Sequence, residues 1–223
     1  MKRITVLLAE DHTIVREGLR SLLKSESDIE IVGEAENGRQ AVSLTEKLAP
    51  DVLVMDIAMP LLNGLEAARQ ILLTKCATKI LILSAHSDDA YVEKVMALGA
   101  SGYLIKQSAF RVLPTAIREV HGGKSYFSPA IAKRFKVPKT PGVRSSKVKP
   151  AANHLTPREM EVLQLIAEGN PNKLTADILS ISIKTVEKHR QKVMEKLDIH
   201  DTASLTRYAI AHGIIESSVQ VTI

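Results

Sequence analysis

Over the first 127 residues, short apolar runs alternate with longer stretches whose apolar positions recur every three or four residues. The runs fall at Ile4–Ala9, Ile29–Val32, Val52–Met55, Lys79–Leu83 and Gly102–Ile105. Continuous runs of that length suit strands buried on both faces of a parallel sheet. Between them, spacings such as Ile14, Leu19, Leu22 and Leu23, or Ala41, Leu44 and Leu48, predict helices with one apolar stripe. Five strands alternating with five helices predict an α/β fold over residues 1–127, a doubly wound five-stranded parallel sheet. From residue 154 the strand pattern disappears. Thr156-Pro157-Arg158-Glu159 reads as a capping box with proline at the first helical position, and Gly169 ends that helix. Pro171 opens a second helix reaching about Ser180, Ser182 caps a third reaching Leu197, and a fourth covers roughly 202–212 with Gly213 as its stop. Residues 154–223 therefore predict a small all-α domain.

Composition narrows the picture. The 223 residues are 45% apolar but only 3% aromatic with no Trp, so the cores must be aliphatic, and neither a fibre nor a disordered chain fits. Cys76 is the single cysteine, which excludes an internal disulfide and a multi-cysteine metal site. The longest charge-free stretch, Val95 to Ile105, has 11 residues, well short of a membrane span, and Glu10 and Asp11 interrupt the first apolar run too early for a signal peptide. A soluble, cytoplasmic protein is expected. The net charge of +5 is unevenly placed: residues 1–127 carry −1, residues 128–153 carry +7, and residues 154–223 carry −1. The middle segment holds Pro129, Pro138, Pro141 and Pro150 and no acidic residue. It reads as a basic, extended linker between two domains, either merely solvated or weakly attracted to phosphates.

Ligands of doubly wound sheets bind beyond the carboxyl ends of the strands. Glu10 and Asp11 follow the first run, Asp56 the third, Ser84 the fourth and Lys106 the fifth. Three carboxylates brought to one sheet edge repel one another unless a cation joins them, and hard oxygen donors suit Mg2+. With a lysine and a hydroxyl alongside, such an edge suits acceptance of a phosphoryl group, with Asp56 as nucleophile. The plainer alternative makes Asp11 a helix cap.

The stretches L-L-A-E-D at 7–11, V-M-D-I-A-M-P-L-L-N-G at 54–64, L-S-A-H at 83–86 and G-A-S-G-Y-L-I-K at 99–106 resemble the receiver domain of two-component response regulators. The resemblance spans essentially residues 1–125. It implies Asp56 as phosphoacceptor, Asp11 and Asp56 as direct Mg2+ ligands, Glu10 acting through water and the Ala58 carbonyl completing the set. Ser84 and Tyr103 become the switch pair and Lys106 the phosphoryl contact, while Pro60 and Gly64 shape the following loop. Gln107 replaces the proline that many receivers carry after the lysine. His86 and Ala58 stand where the family tunes phosphoryl lifetime. The implied switch draws Ser84 toward the new dianion and lets the Tyr103 ring fill the vacated space. By itself Tyr103 also reads as a half-buried aromatic on an edge strand.

In the second segment, Val186, His189, Val193 and Leu197 line one side of the third helix, and Lys184, Glu187, Lys188, Gln191, Lys192 and Glu195 the other. Five basic and two acidic residues give this helix a local +3. That pattern fits either a solvated bundle face or the reading helix of a helix-turn-helix. His189 reads as core-facing and hydrogen-bonded rather than as a metal ligand. The stretches 155–169, 172–173 and 184–197 resemble the LuxR-type DNA-binding domain, and the two domains together resemble the NarL/FixJ subfamily. By that resemblance Glu187, Lys188 and Gln191 read bases, while Lys184, Thr185, Arg190 and Lys192 lie against the DNA, the last three toward phosphates. The second helix departs from the family at Leu174-Thr175-Ala176 and Ile178, so its packing is expected to differ.

The combined expectation is a phosphorylation-dependent transcription regulator with Mg2+ as cofactor. Its expected partners are a histidine kinase, double-stranded DNA, a second copy when phosphorylated, and RNA polymerase, with no membrane. Turnover of an external substrate is not expected. An aspartate-based phosphatase would want a second acid where Ala58 stands. A phosphorylation-independent DNA binder or docking module on the same fold is the remaining alternative.

Overall fold

The computed structural model describes residues 3–74, 76–85, 89–134 and 155–215. The chain divides into two compact units, Met1–Met59 with Gly64–Ser146, and Lys147–Ile223 with the short segment Pro60–Asn63. In the first unit the elements run β1 (Ile4–Ala9), α1 (Thr13–Lys24), β2 (Ile29–Ala35), α2 (Gly38–Leu48), β3 (Val52–Asp56), α3 (Gly64–Leu73), β4 (Lys79–Ser84), α4 (Asp89–Leu98), β5 (Gly102–Ile105), α5 (Lys106–His121), β6 (Tyr126–Phe127) and α6 (Pro129–Arg134). The sheet order is β2-β1-β3-β4-β5-β6, and every strand pair is parallel.

Each apolar run became a strand because both faces of the sheet are covered. On one face Val6, Leu8, Val52, Val54, Leu81, Leu83 and Leu104 pack against Leu19 and Leu23 of α1 and Leu113, Ala116, Ile117 and Val120 of α5. The alternate residues Leu7, Leu53, Met55, Ile80, Ile82 and Tyr103 are equally buried and, by the two-residue period of a strand, face the other side.

Two expectations change. The sheet has six strands, because Tyr126–Phe127 adds a two-residue strand beside β5. So short a strand leaves no readable run; it depends on Gly102, where a Cβ would stand 2.4 Å from the Tyr126 carbonyl oxygen. The segment expected to be linker from residue 128 begins as helix α6, with Ile131 buried. Pro129 is compatible with this because a proline at a helix start gives up only an N–H that has no intrahelical partner. Linker residues 135–153 lie outside the described residues, as do His86 and Lys75.

The second unit contains α7 (Pro157–Ala167), α8 (Asn172–Leu179), α9 (Ile183–Leu197) and α10 (Thr202–Ala211). Thr156 Oγ1 accepts from Glu159 N and the Glu159 carboxylate accepts from Thr156 N at 2.7 Å, so the capping box forms as read. α7 is central: Val162, Leu165 and Ile166 pack with Ala176, Leu179 and Val186, while Leu163 and Ala167 pack with Val193, Leu205 and Ala209. Asp201, whose side chain accepts from Ser204 N, caps α10, a signal absent from the sequence reading.

Gly64 is the tightest point beside the acidic edge. A Cβ there would sit 1.9 Å from the Asp56 carbonyl oxygen, while Gly64 N donates to the Ile57 carbonyl at 2.7 Å. Gly64→Ala must push α3 off the end of β3, so it should lower stability by about 1–3 kcal/mol, the usual cost of overpacking. Urea denaturation of the two proteins checks this, and an unchanged midpoint would show that the turn yields freely.

Candidate functional site

The strand ends deliver the side chains as the topology requires. Glu10 continues β1, its N–H donating to the Ala35 carbonyl at 3.0 Å, and its own carbonyl accepts from Arg16 Nη1 at 2.7 Å. Arg16 is itself buried and paired with Glu34 and Glu36, so α1 fixes the chain leaving β1. Asp56 ends β3, Ser84 ends β4, and Lys106 opens α5 directly after β5. Glu10 and Asp56 are each 1% exposed, Ser84 is buried, and Asp11 is partly exposed.

The cluster is tight. Lys106 Nζ lies 2.8 Å from Asp56 Oδ2 and 3.1 Å from both Glu10 carboxylate oxygens. Asp56 Oδ1 accepts from the Ile57 N–H at 2.8 Å, which fixes the carboxylate plane and turns Oδ2 toward the lysine. Glu10 Oε2, Asp11 Oδ1 and Asp56 Oδ2 are buried atoms that accept no well-aligned hydrogen bond. One ammonium thus meets two of the three carboxylates, those of Glu10 and Asp56. Burial pushes the Asp56 carboxyl up; Lys106 opposes this and Glu10 adds to it, leaving Asp56 at about 6. For Lys106, burial works downward but the Asp56 and Glu10 carboxylates outweigh it and hold the ammonium above its usual range. Buried carboxylate oxygens without well-aligned hydrogen bonds, beside surplus negative charge, are what a hard divalent cation would satisfy.

The structure also adds a residue that the strand-end reading left out. His12 Nδ1 lies 2.9 Å from Asp11 Oδ1 and 3.1 Å from Glu10 Oε1. Its imidazole is lowered by partial burial and raised more strongly by Asp11 and Glu10, with Lys106 opposing them, and the net shift is upward. Donor atoms of Glu10, Asp11, His12 and Asp56 all lie within 4.8 Å of one another. His12 could have been found from its place one residue beyond the acidic pair. The alternative role for Asp11 falls away, because the N-cap of α1 is His12, with no side-chain cap bond.

Tyr103 differs from its expectation as an aromatic half-buried on an edge strand. Its ring is 0% exposed, because β6 pairs beyond β5 and makes β5 internal. Ala58 lies in the turn after β3 and is partly exposed.

In the second unit the third helix presents the side the pattern assigned to it. Lys184, Glu187, Lys188, Gln191, Lys192 and Glu195 are exposed, while Val186 and Val193 are fully buried. Gln191 Nε2 donates to Glu195 at 2.9 Å. Thr185 and Arg190 are half-buried; Arg190 donates to Asn172 Oδ1 at 3.4 Å and to Thr202 Oγ1 at 2.6 Å, tying α9 to the starts of α8 and α10. His189 faces inward as expected, but its buried Nδ1 has no hydrogen-bond partner, so the expected hydrogen bond is missing at that atom. Burial, then Arg158, keep its imidazole below the usual histidine range. Leu174 is exposed on α8 whereas Thr175 is buried.

Because Asp56 holds its proton more tightly when folded, the folded chain binds more protons than the unfolded chain between the ordinary aspartate range and about pH 6. Its contribution to stability therefore falls as pH rises through that window and is flat above it. Asp56→Asn should raise the Tm of chelator-treated protein at pH 7 and flatten its pH dependence between 4 and 6. A lowered Tm at pH 7 would show that the Lys106 pairing outweighs the repulsion.

A family model of the response regulator receiver domain matches residues 6–118, and one of the bacterial regulatory proteins of the luxR family matches residues 153–209. The response regulator UvrY of Escherichia coli (strain K12) is 36% identical over 211 residues, covering 95% of each chain. The transcriptional regulatory protein DegU of Brevibacillus brevis is 33% identical over 226 residues, covering 96% of each. A solved complex of the two-component response regulator RcsB with DNA superposes with a TM-score of 0.56 at 28% identity, covering 93% of this chain and 98% of that one. The carboxylate edge and the exposed helix thus fall within two matched families in the order those relatives carry them, and the chain belongs to the NarL/FixJ-type response regulators, DNA-binding transcription regulators of two-component systems.

Proposed function

We propose that Asp56 accepts a phosphoryl group from the phosphohistidine of a histidine kinase, and that this controls DNA binding by α9. The observation that carries the reading is the Asp56 carboxylate, buried and held through Oδ1, with Oδ2 2.8 Å from Lys106 and two further carboxylates alongside. An Asp56 oxygen attacks phosphorus, a P–O bond forms, and the donor's N–P bond breaks with its electron pair leaving on the imidazole. Lys106 meets negative charge on the incoming group and Ser84 supplies a hydroxyl at the same edge. Asp11 and Asp56 would hold Mg2+, with Glu10 acting through water and the Ala58 carbonyl completing the protein ligands. The cation would supply charge neutralisation for the transferred group. Three buried carboxylate oxygens that accept no well-aligned hydrogen bond support this donor set. Ser84 and Tyr103, both buried, form the switch pair.

The receiver domain spans 1–127 with α6 following it, the rest of the basic segment 128–153 is the linker, and the DNA-binding domain is 154–223. Glu187, Lys188 and Gln191 on the exposed face of α9 read base edges, while Lys184, Thr185, Arg190 and Lys192 lie toward the backbone. The RcsB–DNA complex supports double-stranded DNA as the ligand. A phosphorylated homodimer binds paired half-sites, with gain from effective concentration, and RNA polymerase is the downstream partner. No helix among the described residues is long and apolar enough to cross a membrane, which agrees with action in the cytoplasm. The chain turns over no external substrate.

Two variants test the reading. Asp56→Asn should abolish labelling of the protein by radioactive acetyl phosphate in Mg2+, and continued labelling would name another acceptor. Lys188→Ala should weaken binding to a selected site by about 1–3 kcal/mol, the usual worth of a base contact; an unchanged Kd removes it from the reading face. The site itself comes from selecting fragmented genomic DNA with and without a beryllofluoride mimic. Enrichment of a paired half-site only with the mimic supports the whole reading. Equal enrichment in both would favour a phosphorylation-independent DNA binder, and none in either a docking module.

A further inference from the structure

We infer that Glu187 determines sequence specificity on α9: its carboxylate accepts from the N4 amino group of a cytosine in the major groove and repels the other bases at that position. This rests on the proposed reading of DNA by α9 and names one base within it.

The two carboxylates of α9 are both exposed, but they differ in what they meet. Glu195 accepts from Gln191 Nε2 at 2.9 Å. The Glu187 carboxylate meets no hydrogen-bond donor or cation among the described residues. Lys184, one turn earlier on the same side of the helix, forms no ion pair with it, and Gln191, one turn later, is engaged by Glu195. Nor does Glu187 serve the start of the helix. Ser182 is the N-cap, its side chain accepting from Thr185 N, and the first turn of α9 holds no acidic residue. Glu187 therefore lies beyond the turn where the helix dipole favours negative charge.

An unpaired negative charge brought up to DNA phosphates is repelled unless the duplex offers it a donor. An ionised carboxylate only accepts hydrogen bonds. In the major groove the donors are the N4 amino group of cytosine and the N6 amino group of adenine. Adenine sets its N7 acceptor beside N6, facing the second carboxylate oxygen, whereas guanine and thymine present acceptors alone. Cytosine is the one base whose major-groove edge offers a donor and no acceptor.

The helix is also held firmly enough to read one position. Reading helices bring their N-terminal residues to the base edges, and Glu187 is the fifth residue of α9. The Ser182 cap secures the start of the helix, Arg190 ties its middle to Asn172 and Thr202, and Lys196 meets Glu159 of α7 at 2.6 Å near its end. A carboxylate on a helix anchored at three points does not slide away from a wrong base, so the repulsion is felt as specificity.

The test uses the full chain, the beryllofluoride mimic and a library of duplexes of randomised sequence. Wild type should select half-sites with cytosine at one fixed position, and replacing that C·G pair should weaken binding about tenfold or more. Glu187→Ala should bring all four pairs at that position within about twofold of one another, keep the preferences elsewhere, and bind unselected DNA more tightly because a repulsion is gone. Glu187→Gln should instead admit adenine, whose N6 and N7 a carboxamide matches. A selected site without a fixed cytosine, equal weakening on all sequences, or unchanged preferences in both variants overturns the inference and leaves the reading by α9 standing. Failure of wild type to select any sequence overturns that reading, and the inference with it.

Discussion

The first unit is organised around surplus negative charge at the carboxyl edge of its sheet. Three carboxylates gather there with one ammonium, and the two carboxylates facing Lys106, those of Glu10 and Asp56, are almost wholly removed from water. Removing a charge from water costs several kcal/mol even after relaxation, and a partner repays that only with good geometry. Here one lysine cannot repay three carboxylates, so burial holds the Asp56 carboxyl up at about 6 although its outer oxygen lies 2.8 Å from the Lys106 ammonium.

That tension is tolerable because everything around it is over-determined. Both faces of the sheet are filled by aliphatic side chains, which leaves the strand ends no freedom to splay. Arg16 grips the Glu10 carbonyl from α1, the Ile57 N–H holds one Asp56 oxygen, and Gly64 lets α3 press on the end of β3. Rigid packing at the base allows unfavourable electrostatics at the rim.

The second unit solves a different problem with the same logic. A small helical domain has little core, and α7 supplies most of it by burying residues on two sides. This leaves α9 free to commit only Val186 and Val193 to full burial and to turn Lys184, Glu187, Lys188, Gln191, Lys192 and Glu195 outward. Arg190 and Lys196 are exceptions on that helix: the Arg190 guanidinium secures α9 to Asn172 and Thr202, and the Lys196 ammonium meets the Glu159 carboxylate of α7 at 2.6 Å.

Much of this was readable before any coordinates. β1 and β5 coincide with their apolar runs, and the capping box at Thr156 and the cap at Ser182 form as their residues imply, because these signals are local. The convergence of Glu10, Asp11, Asp56, Ser84 and Lys106 on one edge was also legible, since parallel strands place all their carboxyl ends on the same side. The remainder depended on neighbours distant in sequence. β6 exists only because β5 offers it a free edge, and that pairing turns Tyr103 from an edge residue into a fully buried one. The direction of the His12 ring, the missing partner of His189 Nδ1 and the raised proton affinity of Asp56 follow from which charges and apolar atoms end up within a few ångströms. Periodicity and local residue type determined the elements and the side of the sheet where chemistry collects; distances between side chains, set by packing, decided how those groups act on one another.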